Sequence, residues 1–184
     1  MSEGECQDHH DQDHPVETMW EGKFVTAKRQ GRWEYVARSR GIKAAVILAI
    51  DDGHVLLVEQ YRVPLGKNCI ELPAGLIGDE TAGEDPVAAA GRELEEETGY
   101  RAGRLDHLGE YYSSPGMVSE SFHMIHAHDL TKIGDGGGVE GEGITVHRVA
   151  LDTLPAFVVA KRAEGCAIDT KLLILPGMIA GLRA

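Results

Sequence analysis

Residues 78–100 read GDETAGEDPVAAAGRELEEETGY. Asp85 stands where a helix N-cap belongs, and Pro86 suits a first turn that has no use for its missing N–H. Val87, Ala88, Ala89 and Ala90 are small residues with mostly high helix propensity. Leu94 is the apolar anchor, and Val87 and Ala90 fall on its side of the helix. Gly99 supplies a left-handed C-terminal cap, so the spacing predicts a helix over about 85–98. Six glutamates crowd this stretch: Glu80, Glu84, Glu93, Glu95, Glu96 and Glu97. Like charges three and four residues apart repel on a helix surface. A plain solvated acidic face is the ordinary reading of such a run. Against it, Glu93 and Glu97 lie one turn apart and point the same way, with Glu96 on the neighbouring flank. Clustered oxygen ligands of this kind suit a hard divalent cation, Mg²⁺ or Mn²⁺.

The full spacing carries more. From Gly78 there are five residues to Glu84, seven more to Arg92-Glu93-Leu94, then Glu96-Glu97 and Gly99-Tyr100. This resembles the Nudix hydrolase box, Gly-x5-Glu-x7-Arg-Glu-U-x-Glu-Glu-x-Gly-U, where U is bulky and apolar. Around it stand Val58-Glu59-Gln60-Tyr61-Arg62, Glu71-Leu72-Pro73-Ala74-Gly75 and Ser113-Ser114-Pro115-Gly116. Pro115 lies sixteen residues beyond Gly99. Together these are similar to the ADP-ribose pyrophosphatase branch of the family and its nucleoside-diphosphate-sugar relatives. The resemblance covers roughly residues 30–180. One departure stands out. In that branch the glycine after Pro-Ala opens the box, which here is Gly75, three residues before the Gly78 that fits the spacing.

The resemblance implies roles for residues of this chain. The Ala74 carbonyl, Glu93, Glu97 and Glu142 would hold two or three Mg²⁺ ions, with Mn²⁺ as a substitute. Glu96 would act as a further ligand or support, and Arg92 would steady the carboxylates beside it by forked hydrogen bonds. Glu84 would orient the box. Glu140, in the acidic pair Glu140-Gly141-Glu142, would be the general base. Arg62 would grip the diphosphate or terminal ribose, Glu120 would contact sugar or metal-bound water, and the Pro115 loop would help select substrate. Trp33 and Tyr35 would stack on the base, although alternate aromatics on a strand also serve simple packing. The implied reaction is Mg²⁺-dependent hydrolysis of ADP-ribose to AMP and ribose 5-phosphate. Two alternatives stay open: another nucleoside-diphosphate sugar such as GDP-mannose or ADP-glucose, or a non-catalytic nucleotide-binding domain of the same family. A homodimer with exchanged N-terminal strands is also implied.

The rest of the chain bounds these expectations. Its 184 residues are 42% hydrophobic and 26% charged, with a net charge of −12. That charge argues against a nucleic-acid partner. No apolar run approaches a membrane span, and the polar, acidic start is unlike a signal peptide. Cys6, Cys69 and Cys166 form neither a ligand pair nor an even disulfide framework, which fits a reducing cytoplasm. Residues 1–18 read as a disordered tail, and its Cys6, His9, His10 and His14 lack an apolar anchor for a metal site.

Residues 19–41 read as N-terminal strands (23–28 and 33–40) that supply dimer and substrate contacts, and residues 42–184 as the hydrolase domain. Within it, strands are expected over 42–50, 54–61, 69–72, 105–112, 121–128 and 144–151. Residues 129–143 read as a mobile glycine-rich loop, which would suit a segment closing on substrate. Helices are expected over 152–165 and from 169 to the end, the last interrupted near Pro176. His107, His123, His126, His128 and His147 fall on strands and read as structural. The expected fold class is α/β, an α-β-α sandwich of the Nudix type with a mixed sheet, plus N-terminal antiparallel strands.

Overall fold

The computed structural model describes residues 10–78, 83–139 and 141–182, with the backbone alone at His10 and over 178–182. The chain divides into two units, Met1–Lys43 with Tyr111–Phe122, and Ala44–Glu110 with His123–Ala184.

The smaller unit is built on three antiparallel strands in the order β1 (Glu17–Glu21), β2 (Val25–Gln30), β3 (Trp33–Arg38). Gly31, at φ +55, turns the β2–β3 hairpin. Residues 10–18, read from sequence as tail, are held against that hairpin in the structure. Gln30 donates to the Gln12 and His14 carbonyls at 3.3 and 3.0 Å, and Arg29 pairs with Glu17 at 2.8 Å. Composition hides this because each tie is a polar contact to a residue far along the chain. Residues 1–9, with Cys6 and His9, lie outside the described residues. The segment around Val118 docks on β3: the Val36 N–H donates to the Met117 carbonyl, and the Ser119 N–H to that of Val36, both at 3.0 Å.

The larger unit carries an eight-stranded mixed sheet. β4 (Lys43–Asp51) and β5 (His54–Arg62) form a hairpin through Asp52-Gly53, both at positive φ. β6 (Lys67–Glu71) pairs antiparallel with β5, and the short β7 (Ala74–Ile77) pairs with β4. After helix α1 (Pro86–Thr98), the long β8 (Tyr100–Tyr112) and β9 (Ser121–Lys132) extend the sheet beyond β4. β10 (Thr145–Ala150) pairs antiparallel with β5, and β11 (Ala167–Ile168), following helix α2 (Leu154–Ala163), lies parallel to β6. Helix α3 (Lys171–Leu182) ends the described chain and runs through Pro176 instead of breaking there. Proline there forfeits one backbone bond, while the buried Leu172 and Leu175 anchor the turn before it.

The core explains the helix–sheet packing. Val46 to Ala49 on β4 and Val55 to Val58 on β5 are buried in unbroken runs, as strands covered on both faces must be. On one face Ala45, Ile47, Ala49, Leu56, Ile125 and Ala127 meet Ala89, Ala90 and Leu94 of α1. The small alanines let α1 lie close to the sheet, and full burial of Leu94 is worth about 1.5–3 kcal/mol. On the opposite face Glu59 accepts from Asn68 at 2.9 Å and Lys161 of α2 at 3.0 Å, with His147 of β10 at 2.9 Å. The Asn68 hydrogen bond, aided by Lys161 and His147, brings the Glu59 carboxyl down to about 2.

Candidate active site

Helix α1 presents the acidic residues as the spacing predicts. The Asp85 carboxylate accepts from the Val87 and Ala88 amides at 2.9 and 3.2 Å, and Gly99 closes the helix at φ +73. These two caps fix the phase of the helix, so Leu94 faces the core while Glu93 and Glu97 leave by the neighbouring flank.

Glu97 is the most unusual group of the site. Only 5% of the residue is exposed, and its carboxylate accepts the Ala74 N–H at 2.9 Å. Burial pushes its carboxyl up to about 8; the Ala74 amide offsets part of that rise, while the nearby Glu93 and Glu142 charges add to it. Glu93 packs on Gly75, where any Cβ would overlap its carboxylate. The two glycines of the box therefore have separate tasks. Gly75 makes room for Glu93, whereas Gly78, at φ +80, donates its N–H to Glu84 at 3.2 Å.

Arg92 ties the acids together. Its Nη1 donates to Glu93 at 2.9 Å and Glu96 at 3.3 Å, and its Nε and Nη2 reach Glu84 at 3.4 and 3.5 Å. The Gly78 amide, then Arg92, hold the Glu84 carboxyl below its usual range. Glu96 is the more open acid, with 37% of its side chain exposed against 13% for Glu93.

Arg62 differs from the picture of a free substrate clamp. Its Nε and Nη2 fork onto Glu71 at 2.6 and 2.9 Å, and that pairing raises the Arg62 pKa. Among the described residues the Nη1 nitrogen makes no hydrogen bond, which leaves it for another anion. Sequence reading passed over Glu71, although it opens the Glu-Leu-Pro-Ala-Gly run. The β5–β6 register sets Glu71 opposite Val58, four residues before Arg62, and the chain order alone does not give that register.

Glu142 is exposed, and its Oε2 accepts from the Val139 amide at 3.0 Å. Glu140 lies outside the described residues. As the side chains stand, no three carboxylate, histidine or cysteine groups converge on one point among the described residues. The donor set nevertheless fits a hard cation. It is all oxygen, Gly75 leaves a cradle for Glu93, and a divalent ion would stabilise the charge that burial, with Glu93 and Glu142 beside it, disfavours at Glu97.

In the smaller unit, Trp33, Tyr35 and Pro115 come together with Gln30, Val118 and Ser119 around a slot of about 320 Å³. Trp33 is 48% exposed and so offers a ring face. Glu120 pairs with Arg38, a partner that spacing along the chain does not reveal, on the wall of a separate polar cleft of about 490 Å³. The histidines stay outside both sets: His107 lies 2.9 Å from His123, and the His126 and His128 rings sit 3.7 Å apart.

The NUDIX domain family matches residues 40–165. A methanol dehydrogenase activator of Bacillus methanolicus is 38% identical over 119 residues, covering 64% of this chain and 63% of that protein. An ADP-ribose pyrophosphatase of Bacillus subtilis is 38% identical over 109 residues, covering 59% of this chain and 57% of that protein. The chain thus spans less than two thirds of either. A GDP-mannose pyrophosphatase of Cronobacter sakazakii is 33% identical over 167 residues, covering 86% of this chain and 80% of that protein. The crystal structure of an ADP compounds hydrolase superposes with a TM-score of 0.67 at 23% identity, over 91% of this chain and 93% of that one, a likeness of fold.

Proposed function

Since the chain belongs to the NUDIX family, we propose that it is a pyrophosphatase that hydrolyses the diphosphate bond of ADP-ribose to AMP and ribose 5-phosphate. The observation that carries this reading is the buried Glu97 with the Glu93 and Glu142 charges bearing on it. Such a cluster is costly in a folded protein unless a cation shares it.

Glu93, Glu97, Glu142 and the Ala74 carbonyl are assigned to two or three Mg²⁺ ions, with Mn²⁺ as a substitute. Bound there, the ions would neutralise the diphosphate and lower the pKa of a water. Glu96 supports them, and Arg92 holds Glu93 and Glu96 in place. Arg62, anchored by Glu71, directs its remaining N–H groups at the diphosphate. The oxygen of water joins one phosphorus, the bridging P–O bond opens, and Glu140 takes the proton released. Trp33 and Tyr35 accept the base beside Pro115, and Glu120 is assigned to the sugar or a metal-bound water. Residues 19–41 are assigned to dimer and substrate contacts, and residues 42–184 to the hydrolase domain. The assembly is a cytoplasmic homodimer with no nucleic-acid partner.

A second reading has its own support. The GDP-mannose pyrophosphatase is matched over a larger share of its length than the ADP-ribose pyrophosphatase. A panel of ADP-ribose, GDP-mannose, ADP-glucose and UDP-glucose, assayed with Mg²⁺ for phosphate-coupled turnover, separates the two. ADP-ribose preference that vanishes in Glu97→Gln supports the first. Preference for another sugar moves the substrate and keeps the chemistry. Silence from a folded, Mg²⁺-binding protein favours a nucleotide-binding domain.

A further inference from the structure

The glycine-rich run before Glu142 is pinned to helix α1. The Gly134 N–H donates to the Gly99 carbonyl at 3.1 Å, the Gly137 N–H to the Glu97 carbonyl at 2.9 Å, and the Gly138 N–H to the Glu96 carbonyl at 3.1 Å. These are carbonyls that a helix end leaves without internal partners. The approach is close enough to exclude side chains. At Gly136, φ +68, a Cβ would overlap the Thr98 backbone and the Glu97 carbonyl. On the far side, the Ile144 N–H returns to the Gly137 carbonyl at 3.2 Å, and the Glu142 N–H donates to the Val139 carbonyl at 3.1 Å. The segment carrying Glu142 is therefore closed at its base on the strap.

We propose that Gly136, Gly137 and Gly138 are positioning residues: they strap the Glu142 segment to the backbone of Glu96 and Glu97, so that main-chain hydrogen bonds set the separation between the loop carboxylate and the helix carboxylates. This rests on the assignment of Glu142 as a ligand in a Nudix hydrolase. Glu96 and Glu97 each contribute twice, by a carboxylate in the acidic cluster and by a carbonyl that anchors the opposing loop. A shift of α1 then carries both sets of acids together. Only glycine meets the demand at position 136, because the backbone is left-handed there and touches the helix end directly.

The test uses the whole chain. Hydrogen exchange is measured first on the wild type, where the Gly137 and Gly138 amides should exchange about a hundredfold or more slower than in an unstructured peptide. Gly136→Ala is then compared with Gly134→Ala, whose added methyl meets open space. The expected result for Gly136→Ala is a kcat about tenfold or more below wild type with little change in KM. Mn²⁺ binding, read by electron paramagnetic resonance, should weaken in parallel. In a Glu142→Gln background the same substitution should add nothing to either loss. Fast exchange of both amides in the wild type overturns the proposal, as does equality of Gly136→Ala with Gly134→Ala, or losses that multiply with Glu142→Gln. Should Gly136→Ala fail to fold, the wild-type exchange decides. A wild type inert on every sugar nucleotide sinks the hydrolase reading alone, since exchange and Mn²⁺ affinity still judge the strap.

Discussion

Without a bound cation, Glu97 keeps its proton to a higher pH than it would in the unfolded chain. Its carboxyl is raised from near 4.5 to about 8, first by burial and then by Glu93 and Glu142. Between those values the folded state binds more protons than the unfolded one, so its stability declines as pH rises. With a chelator present, the unfolding midpoint should be highest near pH 5 and drop toward pH 8. Glu97→Gln should flatten that decline, and Mg²⁺ added at pH 8 should restore the midpoint of the wild type. An equal fall in the variant would remove Glu97 from the explanation. Glu71 is the second residue with a clear consequence. Its fork holds two of the three guanidinium nitrogens of Arg62, so Glu71→Gln would leave the guanidinium free to turn. We expect KM for the sugar nucleotide to rise about tenfold with a smaller change in kcat, and an Arg62→Ala/Glu71→Gln double variant no worse than Arg62→Ala alone. An unchanged KM in Glu71→Gln would show that Arg62 needs no anchor.

Helix α1 is the element on which the site depends, and its ends are held differently. The N-terminus is capped locally by Asp85, whereas the C-terminal carbonyls are met partly by the strap 134–138. Asp85→Ala should cost about 1 kcal/mol in urea unfolding, and Asp85→Asn much less. Leu94→Ala should cost about 2–5 kcal/mol, because it empties a fully buried position between α1 and the sheet. If the two alanine variants were equally mild, α1 would not be held by its packing. The start, phase and end of this helix were legible because capping and periodicity are local rules. The strap was not. Glycines at 134 and 136–138 are what a mobile loop would also show, and only the backbone path reveals that their lack of side chains serves contact.

At the scale of the whole molecule, the smaller unit leaves large apolar side chains in water. Met19 is 53% exposed, Trp20 59% and Phe24 62%. Surfaces of this kind favour association. Sedimentation should give about twice 19.9 kDa, and Trp20→Glu should shift the protein toward the single-chain mass. A fully active monomer would end the homodimer proposal. No helix among the described residues is long and apolar enough to cross a membrane.

Spacing along the chain was enough to read α1, most of the strands and the family, because capping, periodicity and motif spacing are all written in chain order. Trp33 and Tyr35 lie some eighty positions from Pro115 in sequence, and the fold brings the three to one slot. The grip of Glu71 on Arg62, the pairing of Arg38 with Glu120, the raised Glu97 carboxyl and the strap under Glu142 all waited on the folded chain. Each arises from register, burial or backbone approach between distant segments. Those quantities exist only once the sheet is assembled, since a sequence records what a residue is but not what it is pressed against.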